Sequence, residues 1–253
     1  MENQILGNWQ EFKMPFRHFR ASQVFNPIDY QSLASAFSRV LQEVNSDPKQ
    51  QYNVERYNNY DALVIGMDAR LSNQFKPLFE SSWIEELSRL MGIPFLPRIS
   101  GALHSHPVNS RTGWIHSDYC PVWFDESVKQ FESELLYPDH SRCEYFTGKS
   151  KVADALPKEY IRSASMIFYL CNDGWQEDEG GETVLYEAAH SHPYRAVEFI
   201  PPVNNSLLFF EISPYSFHTF ITNRVRSRNS IILFLHSTIE FAKSRWGNSL
   251  HQP

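Results

Sequence analysis

Three cysteines in 253 residues, Cys120, Cys143 and Cys171, are too few and too scattered for a disulfide framework, and none forms a Cys-x-x-Cys pair. Their scarcity argues against a zinc ribbon or a thioredoxin-like site. It fits a reducing cytoplasm in which the thiols are buried or idle. Long apolar runs are missing too: stretches such as Ile231 to Leu235 stop well short of a membrane span. Met1 to Ile5 carry neither a basic n-region nor an apolar h-region, so no secretory signal is expected. Positive charge is sparse. A formal charge of −6 leaves no broad basic field for phosphate contacts, which argues against a nucleic-acid partner. The local run Arg224, Arg226 and Arg228 reads as a solvated turn leading into a strand. No Gly-x-Ser-x-Gly elbow and no P-loop occur, so a serine hydrolase and a P-loop nucleotide enzyme are unsupported.

What is present is enough apolar and aromatic side chain, 42% and 15% of the residues, to bury a sizeable core. The length suits one β-rich domain over 1–253, with mainly helical support over 1–95 and a strand-rich core over 96–240. Asp29 is placed to cap a helix whose apolar residues Leu33, Phe37, Val40, Leu41 and Val44 recur at helical spacing. Ser82 and Glu85 offer a capping box for a second helix presenting Trp83, Leu87, Leu90 and Met91, which Gly92 and Pro94 end. From about Pro97 the texture changes to short alternating or apolar runs between turn residues. The spacing predicts strands over 98–106, 113–118, 163–170, 183–187, 196–200, 206–211, 218–222 and 227–236. Eight such strands suit a two-sheet jelly roll. Residues 125–162 interrupt them with a short helical pattern of Val128, Phe131 and Leu135 amid charged and turn-like sequence. They read as an insertion near the site, either a lid or a peripheral excursion.

His116-Ser117-Asp118 carries the chemistry. Side chains two apart on an extended strand share a face, so His116 and Asp118 can bind one metal from a single strand end while Ser117 points away. A third ligand, His218, completes the two-histidine, one-carboxylate set of a mononuclear non-haem iron site. Alone, this triplet is weak in a chain of ten histidines. Arg228-Asn229-Ser230 strengthens it. A guanidinium and a hydroxyl two apart face one cavity, and the apolar run that follows puts the strand inside the sandwich, where an unpaired arginine is costly. A buried anion is therefore expected.

The order His116-x-Asp118, Ile167-Phe168-Tyr169-Leu170, Gly180-Gly181-Glu182-Thr183-Val184-Leu185-Tyr186, His218 and Arg228-x-Ser230 resembles the prolyl-4-hydroxylase-like branch of the Fe(II)/2-oxoglutarate-dependent dioxygenases. The resemblance spans roughly residues 80–240. It implies a double-stranded β-helix (jelly roll) preceded by helices, Fe(II) on His116, Asp118 and His218, and 2-oxoglutarate chelating that iron, with O2 as oxidant and ascorbate as a supporting reductant. It also implies that Arg228 meets the distal carboxylate, with Ser230 and Tyr169 beside it. The retained Asp118 favours hydroxylation over halogenation. The Gly180-Gly181-Glu182-Thr183 stretch is read as architectural, its paired glycines permitting a tight backbone entry into the next strand.

Other constellations stay open at the level of sequence. His104-Ser105-His106 puts two imidazoles on one face, but the glutamate of a cupin metal motif is missing, so both read as cavity wall or surface. His190 and His192 precede Pro193 in what reads as a loop. Trp114, Tyr119, Trp123, Phe124 and Trp175 are pocket or core aromatics, and Glu177-Asp178-Glu179 reads as a solvated acidic loop. The expectation is a cytoplasmic oxygenase hydroxylating an unactivated carbon of a small molecule such as a sugar or amino acid. The alternatives are a peptidyl or prolyl hydroxylase acting on a protein, and a catalytically silent jelly-roll binding module.

Overall fold

The computed structural model describes residues 7–46, 52–57, 61–127, 135–187 and 194–247. Helix α1, Pro27–Ser46, forms where Leu33, Ala36, Phe37, Val40 and Val44 recur every three or four residues, and all five are buried. Its start differs from the expected one. Asn26 Oδ1 accepts from the backbone N–H groups of Ile28 and Asp29 at 2.9 and 3.0 Å, so Asn26 caps the helix and Asp29 lies in its first turn. After the short α2, Ala69–Ser72, and a 3-10 segment, Asn73–Leu78, comes α3, Ser81–Met91. The expected Ser82–Glu85 box is not formed: the cap of α3 lies two residues earlier, at Glu80, which makes no side-chain cap bond. Its far end follows expectation, with Gly92 at φ 67° in the left-handed region.

Twelve strands are formed among the described residues: β1 Gln10–Phe12, β2 His18–Ser22, β3 Val54–Tyr57, β4 Ala62–Gly66, β5 Ile99–His106, β6 Pro121–Asp125, β7 Pro157–Tyr169, β8 Thr183–Glu187, β9 Arg195–Ile200, β10 Ser206–Glu211, β11 His218–Phe220 and β12 Arg228–Ser237. Helix α4, Ile239–Trp246, follows them. The first third carries the expected helices and also contributes β1 to β4. These strands extend the large sheet, ordered β1-β2-β10-β7-β12-β5-β4-β3, with β6 also paired to β7. A smaller sheet, β11-β8-β9, faces it. All pairings between named strands are antiparallel.

Alternation along β7 explains how the layers assemble. Ala164, Met166 and Phe168 turn to the helices and join Leu33, Phe37, Trp83 and Leu87 in one core. Ile161, Ile167 and Tyr169 turn the other way and pack with Leu185, Ile200, Leu208 and Phe210 between the sheets. The result is a jelly-roll core with a helical layer on its back. Two sequence boundaries shift. Residues 113–118 do not form a strand; only His116 pairs, as an isolated antiparallel bridge to His218. The insertion is shorter than 125–162 because β6 ends at Asp125 and β7 starts at Pro157. Of its expected helical pattern, Val128 and Phe131 lie outside the described residues, as do His190 and His192.

Asp125 closes the base of that insertion. Its Oδ1 accepts from Ser127 N, Ser127 Oγ and Leu156 N at 2.9, 2.6 and 2.8 Å, and Arg142 Nε donates to Oδ2 at 2.6 Å. Burial opposes ionisation, but these donors outweigh it and hold the carboxyl below the usual carboxylate range.

Candidate functional site

Backbone pairing, not a regular strand, brings the first cluster together. His116 and His218 exchange N–H to carbonyl bonds at 3.1 and 2.9 Å, which sets their rings side by side with centroids 4.5 Å apart. Ser117 turns away as expected: its hydroxyl donates to the Ser213 carbonyl at 2.6 Å and accepts from Tyr119 N at 3.2 Å, pinning the segment between the two ligand candidates. Asp118 then returns to the ring side. His218 Nε2 lies 3.3 Å from Asp118 Oδ2 and His116 Nε2 lies 3.8 Å from Oδ1. The three candidate ligand atoms fall within 4.8 Å of one another.

The tautomers follow from the neighbours. His116 Nδ1 sits 2.9 Å from the Trp114 carbonyl and His218 Nδ1 3.2 Å from the Ser216 carbonyl. A carbonyl only accepts, so both Nδ1 atoms carry a hydrogen and both Nε2 atoms face Asp118. Burial, then the adjacent His218, pushes His116 below the usual imidazole range. Asp118 is moved the same way for a different reason. Burial resists its ionisation, but the hydrogen bond from His218 and the charges of His218, His116 and Arg162 prevail and keep it below the usual carboxylate range. Neutral imidazoles and an ionised carboxylate are the protonation states a divalent cation requires. Bond lengths of about 2.0–2.2 Å to nitrogen and oxygen fit between donors at these separations. The residues fit such an ion.

A cavity of about 460 Å³ opens from this cluster, and Arg228 forms part of its wall. Arg228 is 3% exposed, and no carboxylate pairs with it among the described residues. Its Nε donates to the Gly181 carbonyl at 2.8 Å and one terminal nitrogen to Thr183 Oγ1 at 2.9 Å, while the other lies 3.4 Å from Ser230 Oγ. The Tyr169 hydroxyl bonds Thr183 Oγ1 at 2.7 Å. Tyr169 and Ser230 thus sit behind Arg228 and Thr183, which line the cavity. The paired glycines are structural. Gly180 and Gly181 have φ of 79° and 87°, and a Cβ on Gly180 would lie 1.9 Å from the Thr222 carbonyl oxygen.

Around this centre the remaining wall was only partly foreseen. His104 lines the cavity, and its pKa is pushed down to about 3 by burial and then by Arg228, against the pull of Asp118. His106 and the half-exposed Trp114 also line it, whereas Tyr119 and Phe124 belong to buried clusters. Trp123 packs on Gly148, and the Trp175 indole donates to the Gly180 carbonyl at 2.9 Å. Cys120 is a free, buried thiol on the wall. The acidic loop is not simply solvated: Glu179 pairs with Arg226 at 2.5 Å, so Arg226 is held rather than loose. Sequence reasoning assigned Thr183 to architecture and passed over Arg162, Ser165, Tyr145 and Phe146, all of which line the cavity. Arg162, Ser163 and Ser165 interrupt a run that is otherwise apolar on both faces, and that interruption was a readable signal.

Comparison with known proteins agrees with this geometry. Residues 142–236 match the model of the 2OG-Fe(II) oxygenase superfamily, a segment that holds His218 and Arg228 and begins after Asp118. No curated protein matches the chain. The fold is similar to a prolyl-4-hydroxylase from Pseudomonas putida, with TM-score 0.53 at 13% identity, covering 86% of this chain and 91% of that one. It is similar to a prolyl hydroxylase from Trichoplax adhaerens, solved with a hypoxia-inducible-factor peptide, with TM-score 0.53 at 13% identity, covering 90% and 86%. A third similarity is to SnoN, a non-haem α-ketoglutarate-dependent epimerase from nogalamycin biosynthesis, with TM-score 0.52 at 12% identity, covering 87% and 78%. The segment 142–236 is thus similar to 2OG-Fe(II) oxygenases, and the chain has the prolyl-4-hydroxylase-like fold. For the superfamily whose model matches this segment, Fe(II), 2-oxoglutarate and O2 are implied.

Proposed function

We propose that the protein hydroxylates an unactivated carbon of a small molecule, with His116, Asp118 and His218 holding Fe(II) and Arg228 receiving the far carboxylate of 2-oxoglutarate. One observation carries this reading. The wholly buried Arg228, with no acid partner among the described residues, shares a cavity with the histidine–aspartate cluster. Burying an arginine without a counter-anion is costly, and a dicarboxylate bridging the two centres removes that cost. When bound, the metal and 2-oxoglutarate supply the oxidising chemistry: O2 delivers one oxygen atom to the substrate carbon and one to succinate, and CO2 leaves.

The chain's own residues set the stage for that reaction. The Trp114 and Ser216 carbonyls fix both imidazoles in the metal-binding tautomer. Thr183 and the Gly181 carbonyl hold the Arg228 fork in place, and Tyr169 and Ser230 support it from behind. A cavity of about 460 Å³ has the dimensions of a small-molecule site, which supports a metabolite over a folded protein as substrate.

The test is a binding and turnover pair. Purified protein given Fe(II), ascorbate and 2-oxoglutarate is expected to release succinate above a His116→Ala control across a metabolite panel, with a product heavier by one oxygen atom. Arg228→Ala is expected to weaken 2-oxoglutarate by roughly ten- to a hundredfold, the scale of a lost charge-assisted hydrogen-bond pair, while leaving metal affinity close to the parent's. Equal cosubstrate binding by variant and parent overturns the role of Arg228. Succinate release only with a peptide substrate shifts the reading to a peptidyl hydroxylase, and none at all to a binding module.

A further inference from the structure

A second buried guanidinium faces the same cavity. Arg162, on β7, is covered by aromatic rings: its guanidinium carbon lies 3.9 Å from the Phe234 ring centre, 5.2 Å from that of Phe146 and 5.3 Å from that of Tyr145. The side chain is 12% exposed. Its polar contacts are long, 3.4 Å from a terminal nitrogen to Asp118 Oδ1 and 3.3 Å from Nε to the Tyr145 hydroxyl. No other side-chain partner reaches it among the described residues. Three residues along, Ser165 Oγ is buried on the same cavity wall with no hydrogen-bond partner among the described residues. The sheet thus offers a charged fork and a spare hydroxyl to whatever fills the space.

Charge counting indicates what that is, and the count rests on the oxygenase reading above. In the loaded site, two positive charges on the metal and one each on Arg162 and Arg228 stand against one negative charge on Asp118 and two on 2-oxoglutarate. One positive charge is left over. Asp118, the only acid touching Arg162 among the described residues, is then committed to the cation. Glu55 is the one other acid among the described cavity-lining residues; it is exposed at the mouth, where it accepts from the Tyr57 hydroxyl at 2.6 Å. Water screens it there. An enclosed, uncompensated positive charge calls for a single buried anion. A phosphate monoester brings nearly two charges, whereas a carboxylate brings one and matches the planar fork.

We infer that Arg162 and Ser165 seat a carboxylate carried by the primary substrate, so that the molecule hydroxylated here is a monocarboxylic acid anchored by its acid group. The aromatic cover holds the guanidinium in plane and leaves its free edge to the ligand. The oxidised carbon is then a carbon of the same molecule held by that anchor beside the metal cluster.

The experiment uses the full chain loaded with Zn(II), which blocks turnover, and 2-oxoglutarate. Aliphatic, cyclic and aromatic monocarboxylic acids, each beside its primary amide, are titrated by calorimetry and followed by thermal melting. Acids are expected to bind and raise the melting temperature where their amides do not. Arg162→Gln is expected to lose roughly tenfold or more of acid affinity, and Arg162→Lys to retain part of it, because the charge persists without the fork. Ser165→Ala gives an independent, smaller loss should Arg162→Gln fold poorly. The inference is overturned if no acid is preferred to its amide, if the acids bind Arg162→Gln as well as the parent, or if Arg162→Gln loses 2-oxoglutarate as Arg228→Ala does. Failure of the oxygenase reading shows separately, in the titration without acids: a parent protein that takes up no 2-oxoglutarate with metal removes that reading and the charge count together.

Discussion

At the scale of single residues, buried polar groups are what distinguish this cavity from ordinary core. His236 illustrates the cost of placing such groups. It is fully buried, its Nδ1–H donates to the Arg98 carbonyl at 2.8 Å and its Nε2 accepts from the Tyr145 hydroxyl at 3.0 Å. Burial above all, with Arg162 and Arg98 adding to it against the Arg98 carbonyl, pushes its pKa down to about 3. Between about pH 6.5 and 3 the unfolded chain binds a proton there that the native state does not, so stability rises with pH across that window and is lost as pH falls through it. Unfolding free energies from denaturant titration between pH 7 and 4 are expected to decline by up to about 1.4 kcal/mol per pH unit from this group, and a non-titrating His236→Gln variant should show a shallower decline. Tyr145→Phe is expected to cost about 1–3 kcal/mol in chemical denaturation, because it strips a partner from His236 Nε2 and from Arg162 Nε. Among the candidate site residues, His116, Asp118, His218 and Arg228 stood out as candidates because their types and order are distinctive. Thr183 was not, since a threonine opening a strand looks like many others; only the folded register shows it bonded to both Arg228 and Tyr169.

At the scale of elements, the close approach of β5 to β12 sets the position of Arg228. Gly101 marks the contact: a Cβ there would lie 2.2 Å from the Ile232 carbonyl oxygen and 2.8 Å from a Leu233 methyl carbon. Gly101→Ala is expected to destabilise the protein by roughly 1–3 kcal/mol, and to weaken 2-oxoglutarate binding as β12 shifts. Unchanged unfolding and binding would show that the sheet absorbs the methyl group. Asp125 offers a second test. Asp125→Ala removes the acceptor that ties both ends of the insertion, and should bring faster proteolytic cleavage within 126–156 than in the parent. Strands β8 and β10 were read at their true ends because apolar runs there are bounded by turn residues. β1 to β4 were missed for the opposite reason. β3 is mostly exposed, β4 is buried on nearly every residue, and neither shows the alternation that marks a half-buried strand. Helix α1 was recognised by its period and misplaced at its start, because Asn26 competes with Asp29 as a cap and only the backbone decides between them.

At the scale of the whole molecule, two layers meet at β7, with helices on one face and the site on the other. Metal binding should therefore stabilise the entire fold rather than a loop. At a divalent-ion concentration a hundredfold above its Kd, about 2.7 kcal/mol of added stability is expected, readable as a higher melting temperature and absent in His116→Ala. No helix of the described residues is long and apolar enough to cross a membrane. The general plan, strands enclosing a cavity with helices behind, was legible from texture alone. The cavity's outer wall was not, because the residues that build it lie in charged and turn-like sequence. That segment, 126–156, lends Pro138, His140, Tyr145 and Phe146 to the cavity, whereas the metal and cosubstrate candidates lie outside it. Heredity can then treat the two as separate parts. Changes between Glu126 and Leu156 can retune which molecule is admitted while the oxidising machinery is inherited intact, so related chains with unlike insertions should share a reaction and differ in diet.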